Sequence, residues 1–111
     1  MIFHKDLTPE KWFKLSLFQQ LANVGSDVIR AIQWHHKNRT EDSTCAMYRA
    51  LELLDLTIAD PKHRKRLKEL LRAREALVDY FFYDNEYQST DALWHNYFMA
   101  YTYAAALERG R

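Results

Sequence analysis

The sequence contains few of the residues that usually mark turns, with only two glycines and two prolines among 111 residues. Because tight turns depend strongly on these residue types, the chain is expected to consist of a few long elements. A chain of this length usually forms one hydrophobic core. We therefore predict a single domain over residues 1–111.

Other absences narrow the class of protein. Cys45 is the only cysteine, which excludes an internal disulfide and favours a reducing compartment, so we expect a cytoplasmic protein. The pattern around Cys45 puts it on the polar side of its helix. The chain has no apolar run of about 18 residues and does not begin with the pattern of a secretory signal. We therefore expect no association with a membrane.

What the sequence does contain is helix-forming patterns. Thr8-Pro9 and Asp60-Pro61 each combine a capping side chain with a proline at the first helical position, which predicts a helix start at both places. Apolar residues then recur at steps of three and four, as on one face of a helix. The fold class we predict is all-α, an up-down-up-down antiparallel four-helix bundle. The predicted helices cover residues 9–38, 42–59, 61–83 and 90–108.

The first predicted helix has two features that bear on its packing. Ala22 and Gly25 lie on its apolar side, and such small residues predict the close approach of a neighbouring helix. Trp12 and Trp34 are predicted to project away from the core. Arg30 precedes Trp34 by four residues, so the two side chains are predicted to stack as a cation–π pair.

Residues 62–74, here called the basic segment, carry most of the positive charge. They hold seven lysines and arginines against Glu69 alone, a net charge of +6 in a chain whose net charge is +1. Clustered cations of this kind are typical of phosphate-binding surfaces, although a solvated helix face is the alternative. We expect the segment to bind RNA or DNA, or an acidic protein partner such as a nucleic-acid enzyme. The candidate contact residues are Lys62, Arg64, Lys65, Arg66, Lys68 and Arg72.

Arg74, the last cation of the basic segment, falls on the apolar stripe of its helix. A buried charge is costly unless it is paired. We therefore predict an ion pair between Arg74 and an acid of a facing helix, either Asp55 or Asp27.

The last predicted helix carries no charged residue between Asp91 and Glu108. A helix that is weakly polar on all sides is usually covered on more than one side, and a small monomer has core for only one. We therefore expect a homo-oligomer in which the second side contacts another copy. The candidate interface residues are His95, Met99, Thr102, Tyr103 and Ala106, together with Trp34.

The sequence carries no strong enzymatic signature. It has no Gly-rich phosphate loop, no Cys-x-x-Cys and no metal-ligand spacing, so we expect no cofactor and no metal. Arg30 followed by His35 and His36 resembles the arginine–x4–6–histidine motif of HEPN ribonucleases. The resemblance implies that Arg30 stabilises phosphate charge and that a histidine transfers a proton. That family carries its motif toward its C-terminal half, whereas Arg30 lies in the first helix here.

The predicted size, helix count and basic surface resemble the small four-helix-bundle proteins related to ribosomal-RNA intervening-sequence proteins. That group includes the accessory protein of diversity-generating retroelements. The resemblance implies an oligomeric, non-enzymatic protein that binds nucleic acid and a reverse transcriptase. This is the function we prefer, with a HEPN-like ribonuclease as the alternative. A third possibility is pure protein–protein assembly, in which the basic segment pairs with the acidic C-terminal third of a neighbouring chain.

Overall fold

The computed structural model describes residues 4–110, and every regular element within that range is a helix. The predicted all-α fold class is thereby confirmed for the described residues. Five α-helices and one 3-10 helix follow one another along the chain. They are α1 (Pro9–Phe13), α2 (Leu17–His36), α3 (Thr40–Ala59), the 3-10 helix Pro61–Arg66, α4 (Leu67–Phe82) and α5 (Asp91–Arg109).

The single helix predicted over residues 9–38 is wrong, because the chain breaks between Phe13 and Leu17. Ser16 caps the new helix reciprocally with Gln19. The backbone N–H of Gln19 donates to Ser16 Oγ at 3.1 Å, and that of Ser16 donates to Gln19 Oε1 at 2.9 Å. Such a capping box satisfies two backbone donors that a continuous helix would have bonded internally. The break leaves α1 as a separate short helix.

α1 packs inward, contrary to the prediction for its tryptophan. Trp12 is only 3 % exposed, and its indole Nε1 donates to Thr57 Oγ1 of α3 at 3.0 Å. The prediction that Trp12 faces solvent was wrong because it treated Trp12 as part of one continuous helix with α2. The separate axis of α1 lets this side chain reach α3 instead.

The turn between α2 and α3 is closed by a left-handed residue. Asn38 has a φ of 60°, and beyond it the N–H of Arg39 donates to the carbonyl of Trp34 at 2.9 Å. This is the Schellman arrangement, in which asparagine can replace the usual glycine. The hydroxyl of Ser43 then donates to the carbonyl of Ala31 at 2.6 Å, which holds α3 against α2.

α3 ends at Ala59, and Asp60 is the single residue between it and the 3-10 helix. The N–H of Lys62 donates to the Asp60 carboxylate at 3.1 Å, which confirms the predicted cap. However, residues 61–66 form a 3-10 helix instead of the predicted first turns of an α-helix. His63 departs from helical geometry, with φ −99° and ψ 19°, and its buried side chain is bonded to α2. The 3-10 helix is therefore kinked at His63, and regular α-helical structure begins at Leu67.

α5 meets α2 at Gly25, where the predicted close approach is confirmed. A Cβ built on Gly25 would lie 2.4 Å from the Cβ of Phe98, and Phe98 is 1 % exposed. This contact turns the buried side of α5 toward Trp94, Phe98 and Ala105, whereas Leu93 and Ala100 are exposed. The largest fully buried apolar side chains are Leu21, Val24, Val28, Met47, Leu54, Leu70, Leu77 and Phe98.

Candidate nucleic-acid interface

The structure divides the six predicted contact residues of the basic segment into two groups, and the first group supports the fold. Lys62 Nζ donates to the carboxylate of Asp60 and to the carbonyl of Phe13, the latter at 2.6 Å. Arg66 donates two hydrogen bonds to the carboxylate of Glu69, both 3.0 Å long. A charge committed to a close partner is less available to a phosphate. Lys62 and Arg66, both predicted contact residues, are therefore engaged within the chain.

The second group consists of Arg64, Lys65, Lys68 and Arg72. All four are exposed, and none forms an ion pair with another residue of the described range 4–110. Lys68 and Arg72 lie four residues apart on α4 and therefore share one face of it, and Lys65 precedes Lys68 by one turn. We call Lys65, Lys68 and Arg72 the cationic row.

A buried polar network lies beneath the basic segment, and the sequence analysis missed it. The side-chain amide of Gln20 donates to Asp60 Oδ2 and to the carbonyl of Trp12, both at 3.0 Å. The amide oxygen of Gln20 is thereby turned to His63 Nε2, 2.6 Å away, so that His63 nitrogen donates. Gln20, Asp60 and His63 are each no more than 6 % exposed. The network fixes the 3-10 helix onto α2.

The charges in this network follow from its surroundings. Burial lowers the pKa of His63 below its ordinary value; the Asp60 carboxylate opposes this shift, whereas Lys62 and Arg66 add to it. Burial alone would raise the pKa of Asp60, but hydrogen bonds from Lys62 and Gln20 outweigh it and lower that pKa. At neutral pH the network therefore contains an anionic Asp60 and a neutral His63.

A groove of about 400 Å³ lies beside the cationic row, between α4 and α5. Trp94 Nε1, which belongs to one of the residues that line it, is buried and has no hydrogen-bond partner in the described part of the chain. Buried polar atoms without a partner are rare in folded proteins. We call this groove between the two helices the α4–α5 groove. Its lining residues are Lys68, Glu69, Arg72, Ala73, Ala76, Trp94 and Tyr97.

The predicted oligomer interface lies mostly on the open side of α5. His95, Met99, Tyr103 and Ala106 are exposed, with Tyr103 at 68 %, and Thr102 is half-buried. A second groove, of about 510 Å³, separates this side of α5 from α2 and is lined in part by Met99 and Thr102. Nothing in the structure tests the contact with another copy.

Trp34, the remaining predicted interface residue, is half-buried. Lys37 Nζ and the Arg39 guanidinium lie 5.4 and 5.0 Å from its ring centroid. The predicted stacking of Arg30 on Trp34 is therefore wrong. Arg30 turns to Asp27 instead and donates to its carboxylate at 3.0 Å, because a buried carboxylate attracts a nearby guanidinium more strongly than a ring face does.

The residues of the alternative ribonuclease site lie apart. Arg30 lines the groove between α2 and α5, whereas His35 and His36 line a pocket between the end of α2, the start of α3 and the end of α4. His36 Nε2 lies 2.7 Å from a carboxylate oxygen of Asp91. The structure thus does not place the arginine and the histidines around one space in which a phosphate could sit.

Two smaller predictions are confirmed. Arg74 Nε donates to Asp55 at 2.6 Å, so the predicted ion pair exists and its acid is Asp55. Cys45 is exposed, as its position in the pattern indicated.

Among residues 4–110, no group of three histidine, cysteine or acidic side chains is arranged to hold a metal ion. No helix in that range is both long and apolar enough to cross a membrane.

No protein-family model, curated protein or solved structure matches this chain. The resemblance to the intervening-sequence and retroelement accessory proteins therefore stays a prediction, and so does the resemblance to HEPN proteins.

Proposed function

We propose that the protein is a non-enzymatic, self-associating helical module that binds RNA through the exposed part of its basic segment. The observation that carries this proposal is the division of the cations. Arg64 and the cationic row are exposed and have no acidic partner in the described range. Such cations can neutralise phosphates of a nucleic acid and so release the counterions condensed on it, and this release drives binding. The proposed contact set is therefore narrower than the one that the sequence suggested.

In this proposal the four longer helices form the up-down-up-down antiparallel four-helix bundle. The support comes from three contacts between consecutive helices. Each contact joins a residue in the second half of one helix to a residue in the first half of the other. They are Ala31 with Ser43, Tyr48 with Phe82, and Tyr80 with Trp94. This arrangement leaves the outer faces of α4 and α5 on adjacent sides of the molecule.

We propose a second copy of the chain as the occupant of the open side of α5. Met99, Tyr103 and Leu107 are 42 %, 68 % and 51 % exposed on a stretch without charged residues. Two copies of an uncharged face can approach without like-charge repulsion, and tyrosine and methionine are enriched at such interfaces. A cytoplasmic location completes the proposal, because an exposed single thiol suits a reducing compartment.

The test of RNA binding is the dependence of affinity on salt. We expect the logarithm of the association constant for a uridine oligomer to fall with the logarithm of salt concentration, with a slope of about −3 for four phosphate contacts to a single strand. Changing Lys65, Lys68 and Arg72 to glutamate should make the slope shallower by about 2. The matched control reverses three other exposed cations, Lys5, Lys11 and Lys37, and should keep the slope.

Two results would count against the proposal. One is a flat plot for the unmodified protein, and the other is an equal loss of affinity in the row variant and in the control. Preferential binding of a poly-glutamate peptide over RNA would assign the surface to an acidic protein partner instead.

A further inference from the structure

We infer that the α4–α5 groove receives one base of a bound single-stranded RNA, while the adjoining phosphates lie against Lys68 and Arg72. The inference rests on the proposed RNA binding and adds the site at which a base is held. It is independent of the open side of α5 that we assign to self-association.

The walls of the groove suit a flat ring. On the α4 side it is lined by Ala73 and Ala76, whose short side chains leave space, and on the α5 side by Trp94 and Tyr97. Its volume of about 400 Å³ falls within the roughly 300–1,000 Å³ of small-molecule pockets. Proteins that bind single strands combine aromatic contacts to bases with a cationic track for the backbone. Here both parts lie on one pair of helices.

The polar atoms of the two aromatic groove residues lie beneath its surface. Trp94 Nε1 and the Tyr97 hydroxyl are buried, and the Tyr97 hydroxyl interacts with that of Tyr101. Burial raises the pKa of the Tyr97 phenol, so this group stays a hydrogen-bond donor at neutral pH. We therefore assign the contact with a base to the half-buried ring of Tyr97, not to these two polar atoms.

The charge of the groove favours an anionic ligand. Glu69 is its one acidic lining residue, and its carboxylate accepts two hydrogen bonds from Arg66 at 3.0 Å and one from the Tyr101 hydroxyl at 3.2 Å. Lys68 and Arg72 have no such partner in the described range. A ligand with an aromatic ring next to a phosphate satisfies the groove and the cations together, and a nucleotide of a single strand has this composition.

The experiment compares a uridine oligomer with an abasic oligomer of the same length, which has equal phosphate charge and no bases. We expect the unmodified protein to bind the uridine oligomer about tenfold more tightly, the scale of one base contact. Ala73→Leu fills the groove and should reduce uridine binding to the abasic level while leaving abasic binding unchanged. Ala92→Leu makes the same chemical change at an exposed position of α5 outside the groove and should keep the tenfold preference.

A second measurement needs no variant in the groove wall. The indole N–H resonance of Trp94, assigned from Trp94→Phe, should shift when the uridine oligomer is added and stay in place with the abasic one. The N–H of Trp12, bonded to Thr57, should stay in place with both.

The outcomes separate this inference from the proposed function. Equal binding of the two oligomers, or a Trp94 resonance that stays in place with uridine, would overturn the base site and leave RNA binding standing. Failure of both oligomers to bind would overturn the proposed function and the inference with it. Equal affinity for uridine monophosphate and the oligomer would overturn the assignment to a strand.

Discussion

Gly25 of α2 lies directly against Phe98 of α5, so close that a Cβ on Gly25 would stand 2.4 Å from the Cβ of Phe98. The contact sets the distance between two helices and the rotation of α5 about its axis. It therefore also determines which side of α5 is buried and which side is left open.

The first prediction concerns this contact. Gly25→Ala should lower the free energy of unfolding by roughly 1–2 kcal/mol, because overpacking costs about 1–3 kcal/mol or more and the gain in helix propensity returns about 1 kcal/mol. Urea denaturation followed by circular dichroism measures the change. Ser26→Ala, at the next, exposed position, should leave stability nearly unchanged. Phe98→Ala removes the ring carbons that lie 2.8 and 2.9 Å from the added Cβ, so it should cost less in the Gly25→Ala background than it does alone, and simple additivity would contradict the model of a direct clash.

The second prediction concerns the buried histidine. The unfolded chain protonates His63 near its ordinary pKa of 6.5, whereas the folded protein holds this pKa lower. The unfolded state therefore binds more protons in this range, and the free energy of unfolding should fall as the pH drops from about 7 to about 5. Asp60 adds a loss at lower pH, because its depressed folded pKa gives stability that disappears as the pH falls below the ordinary value of 3.8.

The control for this pH dependence uses two histidines. His63→Asn should flatten the fall in stability between about pH 7 and pH 5, at some cost in stability at neutral pH. His95→Gln, at an exposed position, should leave the slope as it is in the unmodified protein. An unchanged slope in His63→Asn would show that other groups cause the acid sensitivity.

The third prediction separates the two groups of cations. Lys62→Met removes the donor to the buried Asp60 carboxylate and to the carbonyl of Phe13. The free energy of unfolding should fall by about 1–2 kcal/mol, a value reduced because Lys62 is 44 % exposed to solvent. Lys68→Met should leave thermal stability nearly unchanged and weaken RNA binding. A loss of stability in Lys68→Met equal to that in Lys62→Met would contradict the division.

The fourth prediction concerns self-association. Light scattering of the unmodified protein should show a mass that is a multiple of 13.3 kDa. Tyr103→Glu with Met99→Glu places charge on the open side of α5 and should reduce the mass to that of one chain. Both positions are exposed, so the fold should persist, as circular dichroism can verify. A single-chain mass for the unmodified protein would refute the proposed interface.

Features coded by neighbouring residues could be predicted from the sequence. Thr8 and Asp60 cap helices as expected, because a cap depends on a side chain and the backbone N–H groups just after it. The helix break at Ser16 could also have been predicted, since Ser16 and Gln19 have the spacing of a capping box. The apolar pattern that continues across the break concealed it.

Features set by the meeting of distant segments could not be predicted. The rotation of α5 about its axis depends on the contact between Phe98 and Gly25, which lie 73 positions apart in the chain. The network of Gln20, Asp60 and His63 brings together two helical segments whose polar residues look like ordinary surface positions in the sequence. The split of the cations follows only in part from the same cause: the partners Asp60 and Glu69 are sequence neighbours of Lys62 and Arg66, whereas the second acceptor of Lys62, the carbonyl of Phe13, is apparent only once the chain is folded.

Cys45 places one reactive sulfur on the outside of α3, next to Tyr48 and away from the residues that line the α4–α5 groove. A maleimide dye can therefore label each molecule once without any change of sequence, and energy transfer between labelled molecules would count how many assemble. The same sulfur can also link two molecules covalently in air. Masses compared with and without dithiothreitol would tell an oxidised pair from a genuine assembly.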